Sequence, residues 1–118
     1  MSFLRGLSLI TVIALAGCGK PSSDSSPISE AQSRLLRPTE PEIAAIYARS
    51  CRNCHTITAS GAPLTGDKVA WAPRMDKGMG VLLASVVNGF GGMPPFGLCM
   101  DCSAEQFAAL IQFMATGN

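Results

Sequence analysis

The C-terminal stretch of the chain has the clearest helical pattern of apolar positions. Ser103 and Gln106 have the spacing of a capping box, which satisfies free backbone N–H groups at the start of a helix. Apolar residues then recur at the i, i+3, i+4 and i+7 positions of one helical face, namely Phe107, Leu110, Ile111 and Met114. This pattern predicts a final helix that packs this face, Met114 included, in the core.

Two earlier stretches repeat the pattern. Thr39 and Glu42 again have capping-box spacing, with Pro41 in the tolerant first turn, before an apolar face made of Ile43, Ile46 and Tyr47. The other stretch stops at Asn88-Gly89, a suitable C-terminal cap, and its apolar face consists of Met79, Leu82, Leu83 and Val86. The sequence therefore predicts an all-α fold with three main helices and long loops.

The first part of the chain has a different pattern. Arg5 precedes an apolar run over residues 7–16, which has the charged start and short length of a secretory signal peptide and cannot span a bilayer. We predict a signal peptide at residues 1–17. The run ends in Leu15-Ala16-Gly17-Cys18, which resembles a bacterial lipobox and predicts a lipid on Cys18. The alternative is an ordinary signal peptide followed by an incidental cysteine.

Residues 18–38 are predicted to be a flexible tether after the lipidated cysteine. Between Lys20 and Pro38 the chain is rich in Ser and Pro and too polar to form a core. The folded domain is accordingly placed at residues 39–118, although residues 33–37 could extend its first helix.

Length and charge narrow the possible functions. A chain of 118 residues has room for one domain. About eighty folded residues bury so little core that such domains commonly need further stabilisation, such as that of a bound cofactor. The chain has nine Lys and Arg against eight Asp and Glu, with no basic stripe. This balance gives no electrostatic reason to expect a nucleic-acid partner.

The segment Cys51-Arg52-Asn53-Cys54-His55 has the C-x-x-C-H spacing of a covalent c-type haem site. Each thiol can bond one haem vinyl group, while the adjacent imidazole reaches the iron from the proximal side. A tetrahedral zinc site would need further Cys or His ligands, and beyond the two motif cysteines the sequence offers for it only the single His and the Cys99 and Cys102 pair. A thioredoxin-like pair would need a βαβ context, which the surrounding sequence does not suggest.

The remaining cysteines and methionines complete the candidate site. With Cys18 lipidated and two thiols on haem, Cys99 and Cys102 are left available to each other, as suits an oxidising compartment. Because the chain has one His, the sixth iron ligand is a Met, something weaker or nothing. Met93 is the first candidate because Gly91-Gly92 allow close backbone approach and Pro94-Pro95 stiffen the loop. Met75 and an open site are the alternatives.

The haem motif, the Met-Pro-Pro turn and the segment Cys99-Met100-Asp101-Cys102-Ser103 together resemble class I c-type cytochromes, in particular the cytochrome c5 group. The resemblance covers roughly residues 40–116. It implies a small cytochrome c fold around one covalent haem c, held through Cys51 and Cys54, with His55 and Met93 as axial ligands.

The resemblance also implies roles for residues around the haem. In this family a proline carbonyl accepts a hydrogen bond from the proximal imidazole, and Pro63 matches that position. Leu64 would pack on the haem face, and Trp71 and Arg74 resemble the residues beside the propionates. Similar family members form a disulfide where this chain has Cys99 and Cys102.

The expected function is electron transfer rather than catalysis. We predict a membrane-tethered carrier of single electrons between respiratory redox proteins, with the relatively high potential that thioether ligation favours. The alternative is a haem sensor or haem enzyme with an open sixth position. The expected location is the periplasmic side of a bacterial membrane, and Gly19 after the lipidated cysteine slightly favours the outer membrane.

Overall fold

A computed structural model describes residues 27–118 of the chain. It is helical and has no strand longer than an isolated bridge in those residues. The α-helices are α1 (Glu30–Ser33), α2 (Pro41–Ile46), α3 (Arg52–His55), α4 (Lys68–Met75), α5 (Met79–Asn88) and α6 (Ala104–Thr116). A π-helix (Tyr47–Cys51) joins α2 to α3, and two 3₁₀ turns lie at Thr58–Ser60 and Pro95–Leu98.

The core forms where α6 meets α2, α4 and α5. Tyr47 is fully buried and meets Phe113 edge to face, with ring centroids 4.9 Å apart. Its hydroxyl donates to Thr65 Oγ1 at 2.9 Å, so the polar end of the ring is satisfied inside the core. The all-α prediction is confirmed, and so are the four core positions predicted on the last helix.

Helix α5 also agrees with its prediction, since it begins at Met79 and Gly89 follows its last residue. Helix α4, however, was not predicted. Asp67 caps it by accepting from the Ala70 N–H at 3.0 Å, and Trp71 is its buried residue. The picture of three main helices is therefore incomplete, because α4 lies between the haem motif and α5.

The predicted capping box at Thr39 is wrong. The N-cap of α2 is Glu40, whose carboxylate accepts from the Glu42 N–H at 3.1 Å and from the Ile43 N–H at 2.7 Å. A carboxylate with two oxygens satisfies two free N–H groups at once, and its charge suits the positive end of the helix.

The predicted tether, residues 18–38, includes residues that are folded in the structure. Residues 29–37, assigned to it from their polarity, include α1, and Ser33 is fully buried there. Ser29 caps α1 in a capping box with Gln32, and Leu36 packs against the core. The predicted signal peptide, Cys18 and the rest of the tether lie outside the described residues. Among residues 27–118, no helix is long and apolar enough to cross a bilayer.

Candidate haem-binding site

Two cysteines of the motif lie on adjoining helical turns. Cys51 ends the π-helix and is half-buried, whereas Cys54 lies in α3 and is exposed. Both are free thiols. Burial raises the pKa of Cys51 to about 11, with Arg49 opposing the shift, so this thiol stays protonated at neutral pH in the protein chain alone.

His55 is buried directly after the second thiol, with an exposed fraction of 8%. Its Nδ1 lies 2.8 Å from the carbonyl oxygen of Pro63, and a carbonyl can only accept, so Nδ1 carries the proton. Burial lowers the pKa of His55, and the hydrogen bond to Pro63 opposes that shift. The neutral imidazole therefore has its lone pair on Nε2, the form in which histidine binds a metal.

The loop that carries Pro63 is fixed by two further bonds. The Thr65 N–H donates to the His55 carbonyl at 2.7 Å, and the Trp71 indole N–H donates to the Leu64 carbonyl at 2.9 Å. The Trp71 ring also stacks against the His55 ring, with centroids 5.8 Å apart. Together these contacts hold His55 at the edge of its ring, at one face of its ring and at its backbone carbonyl.

The place of Trp71 beside the haem propionates stays a prediction, and its N–H is already bonded in the described structure. An indole has a single donor, and in this structure that donor bonds a buried carbonyl. Arg74 is half-buried, and its guanidinium donates to the Ala70 carbonyl one turn back in α4. It lines a cavity of about 340 Å³ together with Pro63 and Leu64, where its remaining donors can meet an anion.

Met93 lies in a tight turn on a different loop. The Phe90 N–H donates to the Met93 carbonyl at 3.1 Å, and the Met93 N–H donates to the Phe90 carbonyl at 2.9 Å. This reciprocal pair fixes the backbone of Met93 before Pro94 leads into the second 3₁₀ turn. Met93 and Cys51 are both partly buried against the same core cluster, and the π-helix that ends at Cys51 contacts the 3₁₀ turn that follows Met93.

The glycines that matter for Met93 are not the ones expected. Gly91 has φ +57° and so needs glycine for its turn, but neither it nor Gly92 approaches other atoms closely. The close contacts are at Gly97, where a Cβ would lie 3.2 Å from Met93 Cε, and at Gly89, where a Cβ would lie 2.9 Å from the Met93 carbonyl oxygen. From the sequence, Gly89 was expected only as a helix cap, and Gly97 had no predicted role.

The other described methionines occupy different environments. Met114 is buried in the core, as predicted, and Met100 is 73% exposed. Met75 and Met79 are partly buried against the core at the end of α4 and the start of α5. Met93 alone among them combines partial burial with a turn closed by its own backbone hydrogen bonds.

A disulfide joins Cys99 and Cys102 just beyond the Met93 loop. Arg49, in the π-helix, donates to both carboxylate oxygens of Asp101 at 3.1 Å and lies 3.2 Å from Cys99 Sγ. This contact links the disulfide loop to the helix that precedes the haem motif. Sequence reasoning missed it because Arg49 and Asp101 are far apart in the chain and carry no motif.

These residues fit a covalently bound haem. The free thiols and the neutral imidazole with Nε2 available supply the attachment and ligand chemistry of a c-type site. Partly buried apolar side chains pack against the core without being covered by it, and they offer a surface suited to a macrocycle: Met79, Leu82, Leu83, Met93 and Phe96.

Comparison with known proteins gives the same result. Residues 38–114 match the family model described as cytochrome c oxidase, cbb3-type, subunit III. The chain is similar to cytochrome c5 of Ectopseudomonas mendocina, with 40% identity over 72 residues, covering 59% of this chain and 83% of the relative. It is also similar to cytochrome c-555 of Chlorobaculum thiosulfatiphilum, with 48% identity over 48 residues, or 41% of this chain and 56% of the relative.

A solved structure is similar as well. It is described as a crystal structure of the electron transfer complex of nitrite reductase with cytochrome c, and the matched chain is 36% identical. The match has a TM-score of 0.57 and covers 64% of this chain and 93% of the other.

Proposed function

Because this chain belongs to the class I c-type cytochromes of the c5 group, a family of electron carriers with haem c, we propose that it carries single electrons through one haem ligated by His55 and Met93. The observation that carries the proposal is the 2.8 Å distance between His55 Nδ1 and the Pro63 carbonyl oxygen. Because a carbonyl only accepts, this contact assigns the proton to Nδ1 and leaves Nε2 for iron. A bound haem supplies the one-electron redox couple, and the protein supplies ligands, orientation and a partly apolar environment.

The residues around that imidazole suit repeated electron transfer. Burial favours the neutral form of His55, the Pro63 bond orients its ring, and stacking on Trp71 limits rotation of that ring. Cys51 and Cys54 would hold the macrocycle covalently, with Leu64 against its face and Arg74 toward a propionate. Nothing in this arrangement requires a substrate or an acid–base group.

Met93 is proposed as the sixth ligand because its turn is closed by hydrogen bonds and its methyl group fits against Gly97. Met93→Ala should abolish the weak charge-transfer band of ferric thioether ligation, admit carbon monoxide to the reduced protein and lower the potential. Met75→Ala is the matched control and should change none of the three. Loss of the band in the Met75 variant alone would overturn the assignment. Ready binding of carbon monoxide by the native protein would favour a sensor or enzyme.

We further propose that Cys18 is lipidated and anchors the protein on the periplasmic side of a bacterial membrane, where it exchanges electrons with redox proteins. The support is the lipobox-like sequence before Cys18 and an apolar run too short to anchor the chain by itself. Cys18→Ser should lack the lipid, so the variant should either be released to the aqueous phase of a detergent separation or be stranded with its signal peptide uncleaved. A native protein already found in the aqueous phase would contradict the anchor.

A further inference from the structure

The segment around α1 runs antiparallel to the haem-binding segment and contacts it in reverse chain order. Near one end, Arg52 Nη2 donates to the Arg34 carbonyl at 3.2 Å. In the middle, the Ser33 hydroxyl donates to the carbonyl of His55 across 3.4 Å, a long bond made by a fully buried side chain. We call residues 28–36 the proximal strap.

The strongest polar contact lies near the other end of the strap. The Glu30 carboxylate accepts from the backbone N–H of Thr58 at 2.6 Å and from its hydroxyl at 2.5 Å. Arg34 forms an ion pair with the same carboxylate at 3.1 Å. The strap therefore contacts the haem-binding segment at Arg52, at His55 and at Thr58.

Apolar contacts hold the strap at both ends. A Cβ built on Gly66 would lie 2.6 Å from Leu36 Cδ1 and 3.0 Å from Ile28 Cδ1. A Cβ on Gly117 would lie 3.2 Å from the same Leu36 atom. Two aliphatic side chains of the strap, Leu36 and Ile28, therefore pack where the glycines of the adjacent segments leave space.

We propose that the proximal strap is a positioning element for His55, so that this segment contributes to the reduction potential as well as covering the domain. The inference rests on the proposed function, since it takes His55 to be the proximal iron ligand. The His55 carbonyl accepts from Ser33 on the strap and from Thr65 on the Pro63 loop, so both segments bear on the same residue.

The physical link is the basicity of the imidazole. A ligating histidine is a stronger electron donor when its other ring nitrogen donates to a well-placed carbonyl. Releasing residues 55–58 from the strap lets His55 shift against Pro63, which weakens that hydrogen bond. A less basic ligand stabilises the ferric state less, so the reduction potential should rise.

The test compares two strap variants with two matched controls in the full-length holoprotein. Glu30→Ala removes the acceptor of Thr58 without touching the core, and its control is Glu105→Ala, another first-turn glutamate of a helix. Leu36→Ala removes the apolar contact, and its control is the adjacent Leu35→Ala, which is 80% exposed. The measurements are amide exchange at Thr58 and the reduction potential.

Both strap variants should speed exchange of the Thr58 amide several-fold and raise the potential, while both controls match the native protein. Unchanged exchange in Glu30→Ala would show that the strap contact is not formed in solution and would overturn the inference. Faster exchange with an unchanged potential would make the strap merely a covering segment and would also overturn it. Failure of the proposed function is seen separately. The native charge-transfer band and its loss in Met93→Ala do not depend on the strap.

Discussion

His55 is held by three separate stretches of the chain, whereas Met93 is held mainly by residues within four positions of it. The proximal side draws on the strap, the Pro63 loop and α4. The distal turn depends on Phe90 for its hydrogen bonds and on Gly97 for space. Long-range support couples His55, the proposed proximal ligand, to the stability of the whole domain, while local support lets Met93, the proposed distal ligand, change more independently.

This difference predicts which property a substitution on each side will change. On the proximal side a lost contact leaves buried polar groups unpaired, so it should lower the free energy of unfolding. On the distal side a changed contact should alter the spectrum of the iron first. The Arg49–Asp101 ion pair connects the π-helix before the haem motif to the disulfide loop at the surface, although a pair this exposed contributes little stability.

The largest effect is expected for Trp71 on the proximal side. Trp71→Ala should lower the free energy of unfolding by about 3–5 kcal/mol, since it removes a buried aromatic ring. Trp71→Phe should lower it by about 1–3 kcal/mol, because the ring remains but the buried Leu64 carbonyl loses its donor. Urea unfolding measures both, with the half-exposed Val69→Ala in the same helix as control. Native stability in the Phe variant would mean that this hydrogen bond does not support the site.

The same contrast explains what the sequence could predict. Helix α6 was predicted with its cap and core face because both signals are local and periodic. Helix α4 is short and contains Pro73, which cannot donate a backbone hydrogen bond, so its pattern argues against a helix. It forms because Asp67 caps it and Trp71 is buried beside His55.

The site residues divide in the same way. The haem motif was evident from its spacing, and the Pro63 position came from the family resemblance. The strap was not predicted because its polar residues contact a segment more than twenty positions away in the chain. Ser33 and Glu30 satisfy partners that only the folded chain brings to them, and composition alone suggests a tether.

A smaller effect is expected for Gly97 on the distal side. Gly97 has φ +54°, so alanine there should cost about 1–2 kcal/mol, and its Cβ would press on the Met93 methyl group. Gly97→Ala should therefore weaken or shift the ferric charge-transfer band. Gly92→Ala is the control, because Gly92 has no positive φ and no atom within 4 Å of a Cβ. An unchanged band in Gly97→Ala would mean that this contact does not position the thioether.

The smallest effect is a dependence of strap docking on pH. Hydrogen bonds from Thr58, and to a lesser degree the charge of Arg34, hold the pKa of Glu30 below its ordinary value of 4.5. Because the folded state favours the charged carboxylate, its contribution to stability is present above the ordinary pKa and is lost as pH falls through the lowered value.

The measurement is the difference in melting temperature between the native protein and Glu30→Ala as pH is lowered. Other carboxyl groups, such as Glu105, are present in both proteins, so the difference isolates Glu30. It should be constant near neutral pH and disappear in acid. It should also be small and shrink with added salt, since the carboxylate is exposed and screened. A difference that persists below the lowered pKa would mean that the protonated carboxyl group holds the strap as well as the ionised carboxylate does, which would contradict the prediction.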